Sequence, residues 1–213
     1  MTSESQPREA RPPQAVTRAP WTPPDLSLRI VNEEPFRYAT FRECLATSLS
    51  SDILAWFEHD APWRLKRTDF YEQYEFSCWD SISPIASHLT SSMVLEAVRS
   101  EMMKVFGRTF EDPISVVAHK LLEGQRIGIH NDYLVGEESH RLVIQLNHGL
   151  SDDDGGFLMI FNSDDPSDIA RVMRPVHVSG FAFEISPASF HAVSEMHGGV
   201  RYSLIYSLRA LPG

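Results

Sequence analysis

From Ile114 onward the chain breaks into short runs of β-forming residues separated by Gly, Asn, Asp and Pro: ISVVAHKLL, QRIGIH, RLVIQLN, GFLMIF, ARVMRPVHV, FAFEI, HAVSEM and VRYSLIYSL. Many short strands with regular turn signals leave few architectures, of which a sandwich or a barrel is the natural choice. The expected fold is mainly β with supporting helices, two packed sheets forming a jelly-roll core over about residues 114–209. At 213 residues the chain suits one domain with a sizeable core.

The first half reads as the support for those strands. Leu26 to Val31 and Phe36 to Cys44 suggest two short strands. A helix is expected next, with Ser51 and Asp52 as cap oxygens and Ile53, Leu54, Trp56 and Phe57 as its apolar face, ending before Pro62. Trp63 to Cys78 alternates loosely and predicts one or two strands, whose Tyr71 and Tyr74 either line a groove or cover the outside of a sheet. After a turn at SISP, Met93, Val94, Val98, Met102, Val105 and Phe106 mark a helix with Thr90 or Ser91 at its start and Gly107 at its end. Helical support is thus expected over about residues 41–107, inside a single domain spanning 26–213. Residues 1–25 are Pro-rich with almost no aliphatic periodicity and predict a disordered tail.

Composition narrows the partners. A formal net charge of −10 argues against a nucleic-acid backbone, because such binding draws on clustered Lys and Arg. A peptide or small-molecule partner fits better. No run is long and apolar enough to span a membrane, and no basic start precedes an apolar stretch, so a cytoplasmic protein is expected. Cys44 and Cys78 are too few for a disulfide framework and read as buried thiols.

The chemistry gathers in QRIGIHNDYLVGEESHRLVIQLN. His130 and Asp132 stand two apart in an alternating segment, so a strand there would send both side chains from one face. His191, after intervening strands, would complete a two-histidine, one-carboxylate set, the arrangement that leaves positions open on a ferrous ion. Any one strand histidine is more often a hydrogen-bonded structural residue than a ligand. The conjunction carries the reading, and it includes Arg201. Alternation in VRYSLIYSL puts Arg201, Ser203 and Ile205 on one face, opposite Tyr202, Leu204 and Tyr206. An inward Arg201 needs a carboxylate, either from a ligand or from a protein acid such as Glu184 or Glu195.

His130-x-Asp132, the RLVIQLN strand, Gly155-Gly156 before FLMIF, Pro175 and Gly180 before FAFEI, then His191 and Arg201-Tyr-Ser resemble the iron(II)- and 2-oxoglutarate-dependent oxygenases of the prolyl-hydroxylase-like group. The resemblance covers roughly residues 114–209. It implies a double-stranded β-helix, iron on His130, Asp132 and His191, and 2-oxoglutarate with its distal carboxylate on Arg201, assisted by Ser203. It also implies a reaction with O2 in which decarboxylation of 2-oxoglutarate to succinate is coupled to oxidation of a substrate C–H bond.

Departures from that pattern shape the expectation. Gln145 stands where prolyl hydroxylases commonly carry tyrosine, and its amide can still donate to a carboxylate, which makes prolyl substrates one option among several. Asp132 disfavours halogenation, since related halogenases have a small residue there. Ser207 stands where nucleic-acid demethylases of similar fold carry a second Arg. Tyr133, in the polar loop after Asp132, and Asn147 are candidate substrate or supporting residues, and either reads equally well as ordinary loop or strand structure. The competing classes are a metal-retaining binding protein of the same fold and a zinc hydrolase using the same three ligands.

Overall fold

The computed structural model describes residues 20–212. Among the described residues twelve strands form two antiparallel sheets. The larger sheet contains β1 (Arg29–Asn32), β2 (Tyr38–Phe41), β3 (Arg64–Arg67), β4 (Glu72–Ser77), β5 (Phe110–Leu121), β7 (His140–Leu146), β10 (Gly180–Glu184) and β12 (Arg201–Ala210). Its order is β1-β2-β10-β7-β12-β5-β4-β3. The smaller sheet, ordered β6-β11-β8-β9, contains β6 (Ile127–His130), β8 (Leu158–Phe161), β9 (Ile169–Met173) and β11 (His191–Val193). Every strand run read from the sequence is present, and the jelly-roll expectation holds.

Alternation explains how the layers assemble. Val116 and Ala118 of β5, Leu142, Ile144 and Leu146 of β7, and Tyr202, Leu204 and Tyr206 of β12 point to one side, where they pack with residues of helices α1 (Thr47–His59) and α3 (Ser92–Phe106). The opposite side faces the smaller sheet through Leu121, Phe181, Phe183, Leu158, Ile160, Val193 and Met196. Both faces of the central strands are therefore buried, which is why Arg201 to Tyr206 is buried without interruption. Each aliphatic or aromatic side chain so enclosed contributes roughly 1.5–3 kcal/mol by removal from water.

Local signals set the helix ends with one exception. Ser91 caps α3 by accepting the Val94 N–H at 3.4 Å, and Gly107 ends it at φ 66, donating to the Met103 carbonyl. Helix α1 begins earlier than expected, after Ala46, which gives no side-chain cap, so Ser51 and Asp52 lie within it. Burial of Leu49 and Ser50 outweighs the missing cap, and Asp52 is used instead by the Trp21 indole at 2.8 Å. The SISP turn leads directly into a short helix, α2 (Pro84–Leu89), because Ser83 caps it and Pro84 occupies its first turn.

The expected tail falls mostly on residues outside those described. Its last part, residues 20–25, is packed: Trp21 lies against His88 with ring centroids 5.3 Å apart, Pro24 is buried, and the Asp25 N–H donates to the Cys44 carbonyl. Cys44 and Cys78 are free and buried, and burial pushes both thiols up to about 12. Gly180 is required by close approach, since a Cβ there would lie 2.8 Å from the Cys44 sulfur. Among the described residues no helix is long and apolar enough to cross a membrane.

His140 makes the fold acid-sensitive. The ring is buried between Phe106 and Phe110, and its Nε2 has no partner among the described residues. Burial, helped by the charges of Arg108 and Arg37, pushes it down to about 4 from 6.5. Unfolded chains bind a proton there below pH 6.5, whereas the folded protein does not until about pH 4. Stability is thus full above that window and falls as pH drops through it, by up to about 1.4 kcal/mol per pH unit. Urea unfolding of wild type and His140→Leu between pH 7.5 and pH 4.5 should show a shallower decline in the variant; equal slopes would contradict this assignment.

Candidate metal centre and its cavity

The three sequence-predicted ligands meet. His130 ends β6 and pairs across the smaller sheet with His191, the first residue of β11. The ligand atoms of His130, Asp132 and His191 all lie within 4.8 Å of one another. Asp132 does not reach this point by the strand alternation expected from the sequence, because β6 stops at His130. It sits instead in a left-handed turn at φ 58, a conformation that short polar side chains tolerate better than most. The turn is fixed from outside: Asn131 donates to the Pro187 carbonyl at 3.1 Å, and Ser189 donates to the Asn131 carbonyl at 2.9 Å.

Hydrogen bonding sets the tautomers. His130 Nδ1 faces the Gly128 carbonyl at 2.9 Å, and His191 Nδ1 faces the Ser189 carbonyl at 2.8 Å. A carbonyl can only accept, so both Nδ1 atoms carry hydrogen, and each ring when neutral presents its Nε2 lone pair inward. Those lone pairs lie 3.4 Å and 3.2 Å from the Asp132 oxygens. Two lone pairs and a carboxylate turned on one another are stable around a cation, so the donor set fits a divalent metal. Burial lowers His191 below the usual imidazole range, opposed by Asp132. Burial alone would raise Asp132, but hydrogen bonds from His130 and His191 when their rings are protonated, and the charge of Arg141, hold it well below the ordinary carboxylate range. Phe70 and Phe183 pack on the two imidazoles at 5.0 Å and 4.8 Å.

The centre opens into a cavity of about 300 Å³ between the sheets. Strand register orders its floor into rows. Leu121 and Arg201 stand opposite one another; next comes Glu75–His119–Ser203–Gln145, then Val117–Ile205–Val143, then Ser115–Ser207–Arg141, and of these Leu121 and Gln145 are buried beside the cavity without lining it. An apolar row thus separates polar ones. Arg201 is 4% exposed, its Nε has no partner, and it forms no ion pair among the described residues. Burial pushes its guanidinium down to about 10. Neither protein acid considered as a partner serves: Glu184 is exposed, and Glu195 lies 4.0 Å from Arg126. Ser203 donates to the Gln145 side-chain Oε1 at 3.2 Å, which leaves the Gln145 side-chain NH2 as a donor.

The other predicted residues fall elsewhere. Asn147 is buried outside this cavity, where it donates to the Pro175 carbonyl and accepts from the Gly149 and Leu150 N–H groups, closing a turn. Tyr133 is exposed on the loop after Asp132 and does not line the cavity, whereas Tyr71 does. Tyr74 faces away, against Lys120. The sequence reading missed Gln73, Glu75, His119 and Arg141. Strand pairing with Ser203 and Ser207, directly or through β5, brings the rows of Glu75, His119 and Arg141 to this face. Burial, with the charges of Arg141 and Arg201, pushes His119 down to about 3 against the pull of Glu75.

Gly156 holds the space beside Arg201. A Cβ there would lie 2.5 Å from the Met196 sulfur and 3.1 Å from Arg201 Cδ, at a φ of 69 that disfavours side chains. Gly156→Ala should lower stability by more than about 1 kcal/mol in urea unfolding and weaken dicarboxylate binding, while metal uptake persists. An unchanged dicarboxylate affinity by calorimetry would contradict the contact.

No protein-family model matches the sequence, and a comparison with curated proteins finds no match. Solved structures do match. A Pseudomonas putida prolyl-4-hydroxylase is 16% identical with a TM-score of 0.67, covering 82% of this chain and 93% of that one. A prolyl hydroxylase from Trichoplax adhaerens, in complex with a hypoxia inducible factor oxygen degradation domain peptide fragment, is 13% identical with a TM-score of 0.67 over 81% and 83%. A 2OG-Fe(II) oxygenase family oxidoreductase from Burkholderia pseudomallei is 17% identical with a TM-score of 0.60 over 81% and 85%. The chain therefore has the fold of the prolyl hydroxylases and 2OG-Fe(II) oxygenases.

Proposed function

We propose that the protein is an iron(II)- and 2-oxoglutarate-dependent oxygenase that hydroxylates an unactivated C–H bond of an amino-acid residue in a peptide, or of a small metabolite. One observation carries the reading: a cation-demanding His130, Asp132 and His191 cluster shares a cavity with a buried, unpaired Arg201. The metal site alone would suit a hydrolase, but hydrolysis gives no use to an unpaired guanidinium in the same cavity. In the balanced reaction, 2-oxoglutarate, O2 and R–H give succinate, CO2 and R–OH.

His130, Asp132 and His191 would hold the ferrous ion, which when bound supplies the redox chemistry of the C–H oxidation. Arg201 binds the distal carboxylate of 2-oxoglutarate through charge-assisted hydrogen bonds, strengthened by the dry surroundings that now disfavour its charge. The Gln145 NH2 and the Ser203 hydroxyl support that end. Val117, Val143 and Ile205 line the space between Arg201 and the metal centre and suit a methylene chain. Phe70 and Phe183 limit water at the imidazoles. The peptide held by the Trichoplax enzyme supports a peptide substrate, and the net charge of −10 speaks against nucleic acid.

The test is succinate production from 2-oxoglutarate by iron-loaded protein exposed to oxygen, with candidate peptides and amino acids added. His130→Ala should abolish it. Arg201→Ala should raise the 2-oxoglutarate requirement about tenfold to a hundredfold, the worth of hydrogen bonds to a charged group. Succinate formation indifferent to both substitutions would defeat the proposal.

A further inference from the structure

We infer that Arg141 is a positioning residue for Asp132, keeping one oxygen of that carboxylate occupied so that the other is presented to the metal. The inference rests on the metal-site reading above and concerns how that site is held. Arg141 lies on β7, opposite Ser207, and lines the same cavity. Its Nη1 donates to Asp132 Oδ2 at 2.6 Å, while Nη2 and Nε engage the two oxygens of Glu138. The planar fork is thus filled by two carboxylates, in contrast to Arg201, and is not free to receive a substrate anion.

The consequence for coordination follows from the carboxylate's two oxygens. Asp132 Oδ2 accepts a short charge-assisted bond from Arg141. Both oxygens face the cluster, Oδ2 at 3.2 Å from His191 Nε2 and Oδ1 at 3.4 Å from His130 Nε2, but only Oδ1 is without a guanidinium donor. An ion placed among the ligands meets Oδ1 as its free donor, which favours attachment through one oxygen. An Asp132 released from Arg141 could turn and bind through both, filling a position that two histidines and one carboxylate otherwise leave open.

Arg141 also closes a local circuit. Asp132 and Glu138 bound the loop at the mouth of the cavity, which carries the exposed Tyr133, Leu134 and Val135. One guanidinium ties both ends of that loop to β7. Without it, two carboxylates stand together at the mouth with no guanidinium between them, and the Asp132 side chain loses its restraint while the turn keeps those from Asn131 and Ser189.

Cobalt(II) substitution tests this through the ligand field. Wild-type protein, Arg141→Met and Arg141→Lys are loaded anaerobically and their visible d–d spectra compared, with circular dichroism to check folding. The expected result is that the bands of Arg141→Met shift and change intensity, and that turnover of the iron form falls about 10–100-fold, the usual cost of losing an outer partner of a metal ligand. A folded Arg141→Met whose cobalt spectrum superimposes on wild type overturns the inference, whatever its activity. Should Arg141→Met fail to fold, Arg141→Lys decides by the same criterion, because one ammonium cannot span both carboxylates. Wild-type protein that takes up no cobalt would overturn the metal-site reading and this inference with it; normal wild-type uptake with unchanged variant spectra overturns this inference alone.

Discussion

The register of β12 between β5 and β7 is the constraint from which the cavity follows. Ser203 stands opposite His119 on one side and Gln145 on the other, and Ile205 stands between Val117 and Val143. Side chains alternate with a period of two, so a slip by one residue would turn Arg201 and Ser203 toward the helices and Tyr202 and Leu204 into the cavity. Both outcomes are costly. The first buries a guanidinium in the apolar layer of α1 and α3, and the second leaves that layer without its central residues. Packing of the helical layer and chemistry of the cavity are thus specified by the same pairing.

Within that frame the site is built from unresolved electrostatic demands. Two imidazoles with their Nδ1 hydrogens turned outward converge with a carboxylate, and a cation would answer that demand. In the same cavity Arg201 sits desolvated, with no ion-pair partner among the described residues, and a carboxylate would answer it. A molecule bearing a carboxylate at one end and metal-binding oxygens at the other would meet both, with the apolar row beneath its middle. Arg141, by contrast, is already neutralised by Asp132 and Glu138, so its contribution is geometric. Folding into so polar a cavity is made affordable by cores on two sides, one between the sheets and one beneath the helices.

Much of this was legible in the sequence because it depends on short-range periodicity. Alternation in VRYSLIYSL located both faces of β12, and the pattern of Met93 to Phe106 with Ser91 and Gly107 located α3. His130 and His191 were found by residue type and order. The route taken by Asp132 was not legible: its left-handed turn is held by Asn131 and Ser189, whose partners lie 56 and 58 residues away. The start of α1 was misjudged because tertiary burial, not a cap, fixes it. Asn147 resembled a site residue through its place after β7, but chain reversal at Gly149 consumes its amide. Glu75, His119 and Arg141 escaped notice because each joins the cavity only through cross-strand register, which a single sequence does not display.

The most direct measurement is calorimetric titration of 2-oxoglutarate into metal-free and manganese-loaded protein under anaerobic conditions. The account predicts binding at one site that is tight with metal and greatly weakened without it, because the ion and Arg201 hold opposite ends of the same molecule. Manganese uptake without any 2-oxoglutarate binding, or binding equally strong in the absence of metal, would contradict it.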